Sequence, residues 1–335
     1  MSLQGRGAAW VFVAPFSVGF AALCAGPLAA SLYLSLTDAS GASARRAEYV
    51  GLANYREALG VDWTARGTPA APGPWLAGDG RPTDPLVYRS VGNSLAYTAM
   101  TVPVTLVMSL MLALLLMQPV RGFTIVRTVV YLPHLLGGVA SLVIWSWLLN
   151  PRYGGLNAAI RAAYAAADPL ARATLGVTTE GWPVPDWLFS PAWCKPALVL
   201  IRAGTVGGSV LILMAALRRI PRELEEAAAL DGAGAWMRLR RVTLPQLRPA
   251  LAFVGLIETV FAMQAFTESY ILSHRSQQDG LLFAATYLYR TAFESPHRLG
   301  YAATIGWILA GTTAVVVAPW LVWGRRRAAH EKGGT

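Results

Sequence analysis

The sequence predicts an all-α membrane protein with six transmembrane helices. Only 14% of its 335 residues are charged and 55% are hydrophobic, whereas a soluble domain carries about 25% charged residues. Six mostly apolar runs approach or exceed the roughly 20 residues that a helix needs to cross a bilayer. Arginines cluster where those runs end, as at Arg218–Arg219 and Arg325–Arg327, which is typical of the cytoplasmic ends of membrane helices.

The six predicted spans divide the chain into apolar helices and polar connections. We treat residues 1–335 as a single transmembrane domain, because no repeat recurs at a fixed period. Residues 37–92 and 150–193 are predicted outer loops, and residues 218–249 form a cytoplasmic segment that we call the middle connection. The spans cover residues 8–36, 93–117, 128–149, 196–217, 250–272 and 301–323.

The first apolar run has a second interpretation as a cleaved signal peptide, since Arg6 precedes it. Its apolar stretch continues well past Cys24, which is longer than the 7–15 residues of a signal core. Leu23 stands where lipidation of Cys24 would call for a small residue. A retained helix is therefore the favoured prediction.

The short connections predict the orientation. Residues 118–127, 218–249 and 324–335 are dense in arginine, and all three fall on one side if both termini are cytoplasmic. Arginines in the long outer loops carry little weight, because long loops cross the membrane largely regardless of charge. We therefore expect a multi-pass protein of the plasma or inner membrane with cytoplasmic termini.

Several function classes are excluded by missing patterns. The net charge of +10 is not arranged as a basic stripe with interleaved aromatic residues, so no nucleic acid partner is expected. Neither of the two lysines, Lys195 and Lys332, follows a glycine-rich loop, which excludes ATP binding by a P-loop. The two cysteines lack metal-ligand spacing. We predict no catalytic residues and no metal site.

A membrane serine protease is a weaker alternative that Gly207, Gly208 and Ser209 raise. It would need a histidine base on another helix at matching depth, and the four histidines do not supply one. Close helix packing through Gly204, Gly207 and Gly208 is the preferred interpretation.

The middle connection has the signals of two short helices separated by glycine. Pro221 suits the first turn of a helix, Glu223 favours its positive N-terminal end, and Gly232 suits a left-handed cap. A second helix is predicted at Ala235–Val242, ended by Leu244–Pro245 before the fifth span. This pattern predicts a docking element, the alternative being an ordinary solvated loop.

A family resemblance appears in the same segment. The sequence EAAALDGA at Glu226–Ala233, followed by VTLP at Val242–Pro245, closely resembles the EAA loop of permeases in ABC importers. The resemblance extends along almost the whole chain and is closest to sugar permeases of the maltose and glycerol-3-phosphate type. Weaker matches occur in the same order as in that family: VGLANYREAL at Val50–Leu59, NSLAYT at Asn93–Thr98, RYGGLN at Arg152–Asn157, LRRIPRELEEAA at Leu217–Ala228, FTESYIL at Phe266–Leu272, YLYRTAF at Tyr287–Phe293 and GYAA at Gly300–Ala303.

Two departures from the family pattern lie in outer segments. Ser273–Gln277 stands where the family has a Gly-Gly-Pro turn, and Gly67–Pro85 looks inserted. Both put contacts with an external binding protein in doubt and leave the EAA loop intact.

The resemblance implies a type I ABC-importer permease fold with a cytoplasmic coupling helix. It implies a heterodimer with a second permease subunit, two cytoplasmic ATPase subunits that bind ATP and Mg²⁺, and an external solute-binding protein. This chain itself would bind no cofactor. The resemblance assigns contact with the ATPase subunits to the EAA loop residues Glu226, Ala227, Ala228, Asp231, Gly232, Ala233, Leu244 and Pro245.

Two other functions remain open at this point. A secondary, ion-coupled transporter would need an ion site and an internal repeat, and it would leave the middle connection unexplained. A membrane enzyme ranks third, because no catalytic constellation is visible.

Ionisable residues inside the spans are candidates for the substrate path. Gln264 and Glu268 are four residues apart, which predicts a shared helix face, and we include Thr267 and Tyr270 beside them. The alternative is a buried ion pair between Arg202 and Glu268. No partner for Glu258 can be named from the sequence.

Overall fold

The protein is described by a computed structural model covering residues 13–41, 47–62, 81–118, 123–135, 138–179, 181–276, 279–294 and 297–325. The only strands in those ranges are β1 (Val61–Asp62) and β2 (Arg81–Pro82), which pair antiparallel. The predicted all-α class is therefore confirmed. The helices are α1 (Val13–Ser35), α2 (Ala53–Leu59), α3 (Pro85–Leu116), α4 (Phe123–Leu135), α5 (Gly138–Leu148), α6 (Gly155–Leu175), α7 (Cys194–Ala203), α8 (Gly207–Leu217), α9 (Arg222–Leu230), α10 (Ala235–Arg238), α11 (Leu244–Met263), α12 (Thr267–Ser276), α13 (Ala284–Phe293) and α14 (Leu299–Arg325).

The structure has four to six candidate spans, and it has six, the number of apolar runs, if each bent pair of helices is counted as one span. Four stretches are long and apolar enough to cross a membrane as they stand: Val13–Ser35, Pro85–Leu116, Ala235–Leu272 and Leu299–Gly324. The third and fourth predicted spans are each a bent pair of helices, α4 with α5 at 102° and α7 with α8 at 47°. Both termini and most of Gly67–Pro85 lie outside the described residues. The side chains of Ser273–Gln277 also lie outside them.

The predicted outer loops contain more helix than expected. The 21-residue helix α6 lies within residues 150–193. Its Asp168 accepts hydrogen bonds from the backbone N–H of Thr179 at 2.7 Å and from the hydroxyl of Thr178 at 3.0 Å. Asp168 also pairs with Arg172 at 2.6 Å. These bonds fold the segment after α6 back onto the helix.

The chain divides into two compact units, the first made of residues 1–89 and 284–311. In this unit the side-chain amide of Asn54 donates to the carbonyls of Ser35 and Thr37, which α1 leaves unpaired at its end. Asp84 precedes the first helical residue of α3 and accepts the backbone N–H of Leu86 at 2.9 Å, as an N-cap does.

A polar cluster continues from that cap within the first unit. The hydroxyls of Tyr287 and Tyr301 both donate to the second carboxylate oxygen of Asp84 at 2.6 Å. Arg298 forms a two-pronged ion pair with Glu57 at 2.7 and 2.6 Å. Because bidentate pairs restrict geometry as well as charge, this cluster fastens α2 and the start of α3 to α13 and to the start of α14.

The second unit, residues 90–283 and 312–335, holds the apolar core. One part of the core gathers around buried Leu142, Leu198 and Phe283. Glycines let its helices approach closely, as predicted: a Cβ on Gly204 would lie 2.5 Å from the Trp145 ring, and one on Gly208 would lie 2.9 Å from His134.

Candidate functional site

The middle connection forms the predicted helix, glycine turn and second helix. Helix α9 begins after Pro221 with Glu223 and Glu225 in its first turn, where negative charge favours the helix dipole. Gly232 has φ of +77°, as predicted. The N–H of Gly232 bonds the Ala229 carbonyl at 3.0 Å, and the N–H of Ala233 bonds the Ala228 carbonyl at 2.9 Å. These two bonds are those of a Schellman cap.

The middle connection exposes large apolar side chains. Neither α9 nor α10 has a buried residue; Leu230 is 90% exposed and Trp236 is 70% exposed. Leu224 and Met237 are also exposed. Exposed apolar side chains of this size are suited to contact with a partner, and we call this segment, residues 222–238, the docking face.

The predicted break at Leu244–Pro245 is wrong. Helix α10 passes through a π-helical turn at Leu239–Thr243 directly into α11, where Pro245 occupies the first turn. Proline lacks an N–H and its ring collides with the carbonyl four residues earlier in a regular helix. The wider π turn, in which the N–H of Leu244 bonds the Leu239 carbonyl, accommodates the proline without ending the helix.

A buried ion pair lies in the second unit, with a different partner from the one predicted. The Arg202 guanidinium donates to one Glu258 carboxylate oxygen at 2.8 and 3.2 Å, and the Ser209 hydroxyl donates to the other at 2.6 Å. The Glu258 side chain is 3% exposed and that of Arg202 is 27% exposed. The predicted Arg202–Glu268 pair is therefore wrong, and the sequence had left Glu258 without a partner.

The bend in the fourth span explains both errors. Arg202 lies near the end of α7, before the bend, and Ser209 lies in α8, after it. Glu258 binds both and so joins the two halves of the bent span to α11. Estimating depth by counting residues along a straight helix could not reveal this arrangement, because the bend changes which residues share a level.

A cavity of about 190 Å³ opens beside this ion pair. Of the four residues predicted for the substrate path, Glu268 alone lines it. Gln264 ends α11 and Glu268 belongs to α12, so the four-residue spacing does not place them on one continuous helix face. Thr267 begins α12, and the Tyr270 ring stacks on Phe266 at 5.2 Å.

The sequence missed most of the polar lining of the cavity. The lining includes Tyr97, His134, Ser141, Arg202 and Thr205. A ring nitrogen of His134 lies 3.2 Å from the carbonyl of Thr205 in the bend of the fourth span. The available signals were His134 and Arg202, ionisable residues inside apolar runs. The lining can form hydrogen bonds with a hydroxyl-bearing solute of small size.

The described residues that line the cavity do not form a metal site. Within the described ranges, no three histidine, cysteine or acidic side chains are grouped closely enough to hold a metal ion. The chemistry of the cavity is therefore hydrogen bonding and charge.

Comparison with known proteins identifies the family. Residues 85–323 match the family described as "Binding-protein-dependent transport system inner membrane component". The chain belongs to this family. The matched region includes the middle connection and the lining of the cavity.

Individual relatives cover nearly the full length of this permease. It is 28% identical over 305 residues to the "Probable ABC transporter permease protein YesP" of Bacillus subtilis (strain 168), covering 90% of this chain and 85% of the relative. It is 27% identical over 314 residues to the "Trehalose transport system permease protein SugA" of Mycobacterium tuberculosis (strain CDC 1551 / Oshkosh), covering 93% and 86%.

A solved structure shows the same fold. One chain of the bacterial alginate ABC transporter, crystallised in complex with an alginate pentasaccharide-bound periplasmic protein, superposes with a TM-score of 0.69. The match covers 97% of this permease and 96% of that chain at 18% identity. The predicted ABC-importer permease fold is confirmed, and the secondary-transporter alternative finds no support.

Proposed function

We propose that this permease moves a sugar or sugar-like solute across the membrane, with ATP hydrolysed by two partner subunits. The observation that carries the proposal is the exposed, Schellman-capped α9 in the middle connection of a chain that belongs to a binding-protein-dependent transport family. No P-loop motif is present in the sequence, so the ATP and Mg²⁺ of the cycle belong to the partners.

The substrate class is supported by the named relatives and by the cavity. A trehalose permease and an alginate transporter are among the similar proteins. Hydroxyl, imidazole and carboxylate groups line the cavity beside Arg202, and such groups bind sugar hydroxyls by hydrogen bonds. Glu268 is the residue of the predicted substrate path that we place in contact with the solute.

The middle connection is proposed as the contact with the ATPase subunits. Glu226–Ala233 presents small alanine side chains that let a partner surface approach closely, and the exposed Leu230 offers an apolar contact. Arg238, Arg240 and Arg241 would hold its membrane side near lipid headgroups. The EAA residues Leu244 and Pro245 lie where the connection enters α11.

The remaining partners follow from the family. A second permease subunit would complete a heterodimer, and large apolar side chains along α1, such as Phe16 and Leu23, are exposed in the isolated chain. An external solute-binding protein would deliver the substrate to the outer side. Both termini would be cytoplasmic.

Transport in proteoliposomes tests the energy source. The complex that co-purifies with the full-length chain is reconstituted into proteoliposomes. The sugar released from the co-purified binding protein is identified, and its radiolabelled form is offered outside. ATP is supplied to the ATPase side. We expect uptake that needs ATP and continues when ionophores collapse all ion gradients. Uptake that stops with the ionophores and continues without ATP would overturn the proposal.

A further inference from the structure

A groove runs between the ends of α8 and α11 that carry the middle connection. It has a volume of about 570 Å³, within the range of about 300–1,000 Å³ that small-molecule sites occupy. Each helix contributes positions spaced by three, four and seven residues, which place one face of each helix along the groove. These faces are Ile212, Ala215, Ala216 and Arg219 on α8 and the turn after it, and Gln246, Pro249, Ala250 and Phe253 on α11.

The groove is apolar along its walls and basic at one end. Ile220 and Pro221 complete a mostly apolar lining, in which Gln246 is polar and Arg219 is the one charged residue. Arg219 is exposed, and within the described part of the chain it forms no ion pair. Arg218 and Arg222 lie beside it in sequence and are also exposed. A guanidinium cluster therefore stands at the end of an apolar channel that reaches toward Phe253.

We propose that this groove binds an anionic phospholipid from the leaflet on the side of the middle connection. An acyl chain suits the apolar walls, and a phosphate headgroup suits Arg219, because a guanidinium binds phosphate oxygens through paired hydrogen bonds. The two sides of the groove are the end of α8 and the start of α11, and the middle connection joins these two helices. The bound lipid contacts both and holds them at a fixed separation. This inference goes beyond the transport function and does not depend on the identity of the solute.

Native mass spectrometry of the full-length chain, purified with its co-expressed partners, measures the bound lipid. The probes are phosphatidylglycerol and phosphatidylethanolamine with identical acyl chains. We expect the native protein to retain phosphatidylglycerol preferentially, and Arg219→Gln to reduce that preference about fivefold, the effect of about one arginine near a charged bilayer surface. Arg219→Lys keeps the charge and is expected to keep most of the preference.

Two further variants separate the groove from the general basic surface. Arg248→Gln removes an equal charge from an exposed position outside the lining and is expected to leave the preference unchanged. Ala250→Trp fills the groove and is expected to reduce binding of both lipids. Size-exclusion profiles and melting temperatures report whether each variant folds.

Three results would overturn the proposal. The first is equal retention of the two lipids by the native protein, and the second is an unchanged preference in Arg219→Gln. The third is loss of a partner subunit, without loss of lipid, in Ala250→Trp, which would show that another protein chain occupies the groove.

Discussion

At the residue scale, Glu258 is a buried charge that joins three helices of the second unit, α7, α8 and α11. Its carboxylate is almost fully buried and receives bonds from Arg202 on one oxygen and from Ser209 on the other. A buried charge that loses its partner costs more than a buried pair replaced by apolar side chains, because the desolvation of the remaining charge is no longer offset. Arg202 and Glu258 should therefore behave as a coupled pair.

We expect Arg202→Leu to lower the free energy of unfolding by about 3 kcal/mol, and the double variant Arg202→Leu/Glu258→Leu to lose less than the sum of the two single variants. Fluorescence-detected thermal unfolding in detergent measures the three shifts. Arg202→Leu/Glu268→Leu is the matched control, and its departure from additivity should be smaller, since Glu268 lines the same cavity without an ion pair to Arg202. Additive shifts for Arg202 and Glu258 would contradict the pairing.

At the scale of the element, the geometry of the middle connection depends on one left-handed residue. Gly232 has a φ of +77°, and a Cβ built there would meet nothing within 4 Å. A side chain at this position therefore strains the backbone without colliding with a neighbour. Gly234, two residues later, is equally open but has an ordinary φ of −64°.

Gly232→Val should reduce ATP hydrolysis stimulated by loaded binding protein. A left-handed backbone costs an L-residue roughly 1–2 kcal/mol, so the valine would shift the turn to another conformation and reorient the docking face. Gly234→Val should retain the stimulation, and Gly232→Asn should keep more of it than Gly232→Val, since asparagine tolerates this conformation. ATPase assays of the reconstituted complex compare the three. Equal loss at both glycines would show that the left-handed cap is not the feature that matters.

The outer helix α6 offers a second test at this scale. The backbone N–H of Thr179 holds the pKa of Asp168 below its usual range, and the Thr178 hydroxyl and Arg172 act in the same direction. A lowered pKa in the folded state means that Asp168 stabilises this segment above the unfolded pKa of about 3.9. That stabilisation is lost as the pH falls through the lower folded pKa.

We expect the Thr179 amide to be protected from hydrogen exchange near neutral pH and to lose protection, after correction for the intrinsic rate, once the pH falls below about 4. Asp168→Asn should show weak protection at every pH. Asp186→Asn, which alters another aspartate of the same outer segment, is the control and should behave as the native chain does. Protection at Thr179 that does not change with pH would refute the role of the Asp168 carboxylate.

At the scale of the whole molecule, the orientation in the membrane decides which partners each surface can meet. The docking face of the middle connection meets an ATPase only if it is cytoplasmic, and α6 meets an external protein only if it is outside. Leu230 of α9 and Leu170 of α6 are strongly exposed, at 90% and 67%, so both positions are open to reagents.

With Cys24 and Cys194 replaced, a membrane-impermeant thiol reagent added to intact cells should label Leu170→Cys and miss Leu230→Cys. If the bent pair α7 and α8 crosses the membrane as one span, the two positions lie on opposite sides, and arginine density predicts that α9 is inside. Permeabilised cells are the control, in which both positions should react. Labelling of Leu230→Cys in intact cells would invert the topology and remove the basis for docking to an ATPase.

Much of this protein could be derived from its sequence because the bilayer imposes simple requirements. A span must be apolar over its length, so six runs predicted six crossings. The EAA motif likewise identified the middle connection, and the need for a left-handed residue after α9 was visible in Asp231–Gly232. These features depend on neighbours in the chain, which the sequence displays directly.

Only the tertiary structure decided which polar groups meet inside the membrane. Glu258 lies 56 residues from Arg202, and the partners were brought together by a bend at residues 204–206 that apolar runs do not reveal. The break at Gln264 and the π turn before Pro245 changed helix phase in the same way, so residue spacing no longer predicted a shared face. The physical reason is that a change of phase or direction in one helix alters every contact beyond it, while the hydropathy of the chain stays the same.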